Sequence, residues 1–202
     1  MKKITAALTI LLMASYSCTA ELIPCKLILI DNSIITCLST IPNMSTKTIK
    51  YRDSEKSELK EIPSDDLSAI VFTKDSVEIN YQRLLTYQYY KNKKVNKKKS
   101  WLKVLKSGYM SLYWGYQPGL GSPSMVMWYC KKADEEIAYF ISMKHIGGLV
   151  ITVGSGATFE KNASVYFSDY KTLSDNISKG KYKLQEIEAI VDEYNNWILE
   201  KI

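Results

Sequence analysis

The chain has 202 residues, 24% of them charged and 46% hydrophobic, with a formal charge of +6 and one histidine. That is enough chain for one compact domain or two small ones, and the composition excludes a wholly disordered protein. A single histidine removes most zinc sites and every multi-histidine relay, and no apolar run reaches the 18 residues of a membrane-spanning helix.

The N-terminus reads as a secretory leader covering residues 1–20. Met1-Lys2-Lys3 is a short basic start, and Ile4 to Met13 is an apolar stretch. Two processing routes fit the residues that follow. Cleavage after Ala20 would place Cys18 and Ala20 at the small −3 and −1 positions; cleavage after Ser17 would leave Cys18 as a lipidation site. Either route predicts an exported protein, periplasmic or outer-membrane-associated, held to a membrane only if Cys18 carries lipid. Loss of Lys2 and Lys3 lowers the 27 basic residues to 25 against an unchanged 21 acidic ones, so the exported chain carries +4. So mild a charge does not point to nucleic acid.

Residues 21–90 read as a small antiparallel β unit. The runs 25–31 and 34–40 are apolar and β-branched, and Asp31-Asn32-Ser33 between them predicts a hairpin. A tight turn at those residues would pair Cys37 with Leu27 or Ile28 rather than with Cys25. The expectation is therefore three buried, unpaired thiols at Cys25, Cys37 and Cys130. Further strands are predicted at 46–52, 59–62 and 70–72, and in the alternating stretches through Tyr81 and Tyr87.

Residues 91–99 hold six lysines in nine positions (Lys91, Lys93, Lys94, Lys97, Lys98 and Lys99), a self-repelling segment that predicts a solvated loop or linker. Residues 100–202 read as a second antiparallel sheet followed by helices. Strands are expected at 101–106, 109–116, 125–131 and 137–143, with a charged turn at 132–136. If Cys130 faces Tyr139, then Trp128 faces Ile141. Ser168 or Asp169 is placed to start a helix that Gly180 stops. From Leu184 the apolar residues Ile187, Ile190, Val191, Tyr194, Trp197 and Ile198 fall at helical spacing, so the last helix should cover the sheet. The predicted class is α+β.

The segments KLILIDNSIITC, the I-V-F element at 70–72, WLKVLKSGYMSLY at 101–113 and VYFSDYKTL at 165–173, with a final YNNW, resemble those of uncharacterised exported proteins of the Bacteroidota. The resemblance covers most of the exported part of the chain. It implies location and architecture, and no activity.

Few residues suggest chemistry. Gly154-Ser155-Gly156 follows an apolar run, yet Phe159 stands where a dinucleotide loop needs its third glycine, so a plain turn is the better reading. His145 has no identifiable nucleophile beside it, and Asp134, Glu135 and Glu136 occupy a predicted hairpin tip where carboxylates are solvated. No cofactor, metal or catalytic residue is expected, and an enzyme is the least supported class.

Two surfaces suggest binding. The first is the lysine segment with neighbouring Trp101, extended by Lys103 and Lys106. It would attract an anionic surface or polyanion diffusely. The second follows from fifteen tyrosines against four phenylalanines, which predicts aromatics on half-wet surfaces, notably Tyr109, Tyr113 and Tyr116. The leading expectation is a non-catalytic envelope module that meets a protein or glycan; the alternative is an anionic-surface binder acting through Lys91–Lys106.

Overall fold

The computed structural model describes residues 21–88, 91–119, 121–146 and 155–201, with backbone alone at 91–93 and 155. The expected leader with Cys18, and the apolar run before Gly154, lie outside the described residues.

Alternation builds the strands. In β1 (Ile23–Leu29) the residues Ile23, Cys25 and Leu27 are buried while Pro24 and Lys26 are exposed. Then follow β2 (Ile34–Ser39), β3 (Thr48–Arg52), β4 (Lys60–Pro63), a 3-10 turn at Ser64–Asp66, and β5 (Leu67–Lys74). The two alternating stretches through Tyr81 and Tyr87 form one twelve-residue strand, β6 (Val77–Gln88). The chain continues through β7 (Lys91–Val95), β8 (Ser100–Lys106), β9 (Met110–Gln117), β10 (Ser124–Lys132) and β11 (Ile137–Ile146). Helices α1 (Ser155–Tyr166), α2 (Lys171–Ser178) and α3 (Ile187–Leu199) complete it. Among the described residues, no helix is long and apolar enough to cross a membrane.

Three sequence expectations change. First, Lys91–Val95 is not loop: it pairs with the end of β6, Tyr87 opposite Val95 and Gln88 opposite Lys91. Backbone pairing at a sheet edge leaves lysine side chains free to reach water, so charge repulsion does not forbid it. Within the segment 91–99, residues 96–99 connect β7 to β8.

Second, the hairpin centre is one residue earlier than Asp31-Asn32-Ser33 suggests. Asn32 takes a positive φ of 66°, and Asp31 Oδ1 accepts bonds from both the backbone N–H and the hydroxyl of Ser33. Ile28 thus pairs with Ile34, which sets Cys25 directly opposite Cys37. Third, Cys130 does face Tyr139, but a bulge leaves Ile141 unpaired and puts Ser142 opposite Trp128.

The strands form one sheet ordered β11-β10-β9-β8-β6-β5-β1-β2-β3-β4. It runs without a break through the lysine-rich segment, because β6 pairs with β5 on one side and β8 on the other. Beyond Leu84, β6 leaves β8 and meets β11 in parallel, with Leu85 opposite Ile137 and Thr86 opposite Ala138. That pairing closes β6, β8, β9, β10 and β11 into a ring. Leu84, Leu102, Tyr113, Met127 and Phe140, one from each strand, pack together inside it.

The helices lie on the sheet. Met110, Leu112, Cys130 and Ile141 share a buried cluster with Phe159, Phe167, Leu173, Ile190 and Tyr194. α2 starts at Lys171 without a side-chain cap and ends before Gly180, whose φ of +68° is the left-handed conformation glycine adopts without penalty. Asn195 of α3 clamps the start of β9, accepting from the Met110 N–H and donating to its carbonyl. The chain is thus α+β, largely antiparallel, with the C-terminal helices on the sheet.

Candidate functional site

The helices cover only part of the ring's outer surface. On β9 the outward residues Met110 and Leu112 are under helix, whereas Trp114 and Tyr116 on the same face are not. Their rings are nearly parallel, 14° apart in plane with centroids 6.3 Å apart. They line a groove of about 570 Å³, shared with Tyr81, Lys103, Ile41 and Pro42.

The loop 41–47, between β2 and β3, forms one wall of this groove. It is pinned to the barrel by backbone bonds from the Met44 N–H to the Tyr116 carbonyl and from the Trp101 N–H to the Met44 carbonyl. The approach is close enough that a Cβ at Gly115 would sit 2.5 Å from Met44 Sδ and 2.9 Å from a Leu102 methyl. Asn43 Oδ1 accepts from the N–H and hydroxyl of Ser45, which braces the loop from within.

On the other side of the same loop lies a second cleft, of about 430 Å³. Met44, Lys47, Arg83, Lys97, Lys98 and Lys99 are among its walls. Asn96 fixes the start of the lysine loop, its N–H and its amide both donating to Thr86, on β6. Arg83 is 7% exposed; its Nη2 donates to Asp65 Oδ1 at 3.0 Å, and the guanidinium carbon stands 5.6 Å from the centre of the Trp101 ring.

The residues expected to bind are dispersed. Lys94, Lys97, Lys98 and Lys99 are exposed, and the side chains of Lys91 and Lys93 lie outside the described residues, as do Tyr89 and Tyr90. Lys103 belongs to the aromatic groove, and Lys106 pairs with Asp192 of α3 at 2.6 Å. Trp101 is not a surface aromatic beside the lysines. It is 1% exposed, and its indole N–H donates to Ser64 Oγ, so it is core for the N-terminal strands with one edge at the groove.

The three tyrosines do not share a face. Tyr113 is 2% exposed inside the ring, donating to Gln82 Oε1. Tyr109 is on the helix side, bonded to Asp134, and only Tyr116 is exposed. Sequence reasoning missed Trp114, Arg83, Lys47 and the 41–47 loop. The spacing of Trp114 and Tyr116, two apart on one strand, was the available signal for the groove. Arg83 sits two residues from buried Tyr81 on the same face of β6, a charge in an apolar stripe.

Elsewhere the titratable groups are structural. Cys130 is fully buried, which pushes its thiol well above the ordinary range and away from reactivity. Glu135 is not a free tip carboxylate, since it accepts from the Lys132 N–H and the Tyr166 hydroxyl. Asp169 accepts from Lys132 at 2.8 Å and from the Tyr194 hydroxyl at 2.6 Å. His145, opposite Met125 on the last strand, has an Nδ1 without a partner among the described residues. Among those residues no three metal-ligating side chains converge. Compared with known protein families, with curated proteins and with solved structures, the chain matches none.

Proposed function

We propose that this protein is a non-catalytic module of the cell envelope whose aromatic groove binds a protein or glycan. The observation that carries the reading is the near-parallel Trp114–Tyr116 pair, Trp114 half-buried and Tyr116 exposed where the helices stop, walled by a loop that is already ordered. Flat aromatic faces bury the apolar side of a sugar ring, while Lys103 at the same groove supplies a donor to its hydroxyls. A preformed site of this kind avoids the ordering cost of binding. That chemistry favours a glycan over a protein ligand.

In this reading the N-terminal strands β1–β5 form a small antiparallel unit with its own core, and that unit projects the 41–47 loop over the groove. The envelope location rests on the leader-like residues 1–20. Intact-mass measurement of exported protein tests it, since retention of Met1 to Thr19 would remove that support.

The groove is tested by titrating the exported chain with envelope oligosaccharides, comparing wild type with Trp114→Ala. Saturable binding that weakens at least about tenfold in the variant supports the glycan reading. A saccharide affinity indifferent to Trp114 and Tyr116 refutes it, whereas crosslinking of a photoreactive residue at Tyr116 to one discrete envelope protein would favour the protein ligand.

A further inference from the structure

We infer that the cleft beneath Lys97–Lys99 is a binding site for a doubly charged oxyanion, sulfate or phosphate, with Arg83 as its central donor. The inference does not depend on what the aromatic groove binds.

Arg83 carries the argument. A guanidinium is always charged and presents five N–H groups, so its burial requires partners. At 7% exposure it has one carboxylate contact, from Nη2 to Asp65; Nε and Nη1 have no partner among the described residues. The Asp65 side chain is itself 82% exposed, a solvated counter-ion that neutralises a buried charge weakly. Trp101 covers the guanidinium at 5.6 Å and satisfies none of its N–H groups. The cation is held inside the protein with hydrogen-bonding capacity to spare.

The surroundings add charge of the same sign. Lys47, Lys97, Lys98 and Lys99 line the cleft with Arg83, and Asn96 and Ser100 contribute neutral polar groups. Four lysines beside a buried arginine concentrate positive charge, and among the described residues Asp65 alone bonds Arg83 through a carboxylate. A dianion with several oxygens matches this excess better than a single carboxylate. The planar fork of Arg83 engages two oxygens, and the lysines act as point charges around the rest.

The lysines are also positioned. Thr86 is fully buried, and its carbonyl and hydroxyl accept from the backbone and amide of Asn96. Lys97–Lys99 thus project from a tethered loop. This is distinct from diffuse attraction along Lys91–Lys106, because Lys103 and Lys106 are committed to the aromatic groove and to Asp192.

The test titrates the exported chain with sodium sulfate and with sodium phosphate at constant low ionic strength, following the Arg83 Nε–H resonance by NMR. A saturable shift is expected, with dissociation constants on the order of 1 mM or tighter. Sodium chloride and sodium acetate should bind at least about tenfold more weakly. Replacing Lys97, Lys98 and Lys99 by Ser, all at exposed positions, should weaken sulfate binding about tenfold or more while leaving the fold intact. Asp65→Asn should tighten it roughly threefold or more, since a competing carboxylate is removed. Trp114→Ala should leave it unchanged. A stronger response to sulfate points to a sulfated ligand, and a stronger response to phosphate to a phosphate ester. The inference is overturned if the resonance does not saturate, if chloride acts equally, or if neither the lysine variant nor Asp65→Asn alters the affinity.

Discussion

Cys25 and Cys37 face each other across β1 and β2, both buried, with their Sγ atoms 3.6 Å apart. Directly opposed residues of an antiparallel pair have Cα atoms about 4.5–5.5 Å apart, within the range a disulfide spans. The hydrogen bond to Cys37, reinforced by burial, holds the Cys25 thiol far above its ordinary pKa, whereas accepting that bond lowers Cys37. Cys37 is therefore the more acidic of the two thiols, and it meets an oxidant when the β1–β2 hairpin opens locally. Treatment with glutathione disulfide should convert the two thiols into an internal bridge and release two molecules of reduced glutathione. Closing so short a loop should stabilise the fold by about 2–3 kcal/mol. Thiol labelling under denaturing conditions, with melting curves before and after oxidation, reads this out. Continued labelling of both cysteines after oxidation would refute it.

The last helix is a structural element and not an appendage. Ile190 is fully buried on α3 among residues of the sheet and the other helices. Ile190→Ala should cost about 2–5 kcal/mol, measured by urea unfolding, and Ile190→Asp should abolish cooperative unfolding because it buries an unpaired charge. A truncation after Gly180 that left the melting curve unchanged would contradict this placement.

Asp169 predicts an acid limit. Burial raises its pKa, but the bonds from Lys132 and Tyr194 outweigh burial and hold the carboxyl below its ordinary value. A depressed carboxylate contributes stability above the unfolded value of about 3.9, and that contribution disappears as pH falls through the folded value. Wild type should lose stability below about pH 4, and Asp169→Asn should flatten that acid arm while costing no more than about 1 kcal/mol at pH 7, because the carboxylate is 44% exposed and screened by water. On the alkaline side, burial first and then the bond to Asp169 keep Tyr194 neutral, so stability should fall as pH rises above about 10. Melting temperatures across pH 3 to 11 for both proteins test the two arms.

Gly115→Ala should separate the loop from the barrel. The added methyl would meet the Met44 side chain, so either the thioether swings away or the loop lifts. A loss of about 1–3 kcal/mol is expected, together with weaker ligand binding in the aromatic groove. Unchanged stability and unchanged binding would show that Met44 yields freely and that the wall is not rigid.

What the sequence reveals and conceals follows from the range of the forces involved. Alternation in Val77, Ile79 and Tyr81, the charged turn before Ile137, and the spacing of Ile187 through Ile198 are local signals, and the corresponding strands and helix are present. The turn at Asn32 escaped because a positive φ at one residue shifts the register of every pair behind it. The strand at Lys91–Val95 is hidden in the sequence because its lysines signal side-chain repulsion, whereas its pairing with β6 is made by the backbone. Trp101 was misplaced for a different reason. Its burial depends on Ser64, far away in sequence, whose hydroxyl satisfies the indole N–H. Lys47 and Arg83 are likewise brought together by the loop's return to the barrel, which no short motif announces.

The parallel contact of β6 with β11 also bears on the time course of folding. The β1–β2 and β10–β11 hairpins join near neighbours and can form early, while the union of Leu85 with Ile137 closes a much longer loop. Ring closure is therefore the slow event, and until it occurs the edges of β6 and β11 stay open to pairing with other chains. Thr86, whose backbone lies in that closing pair, also anchors Asn96 through a contact only ten residues long, so the lysine loop is tethered by its own hairpin before the barrel closes.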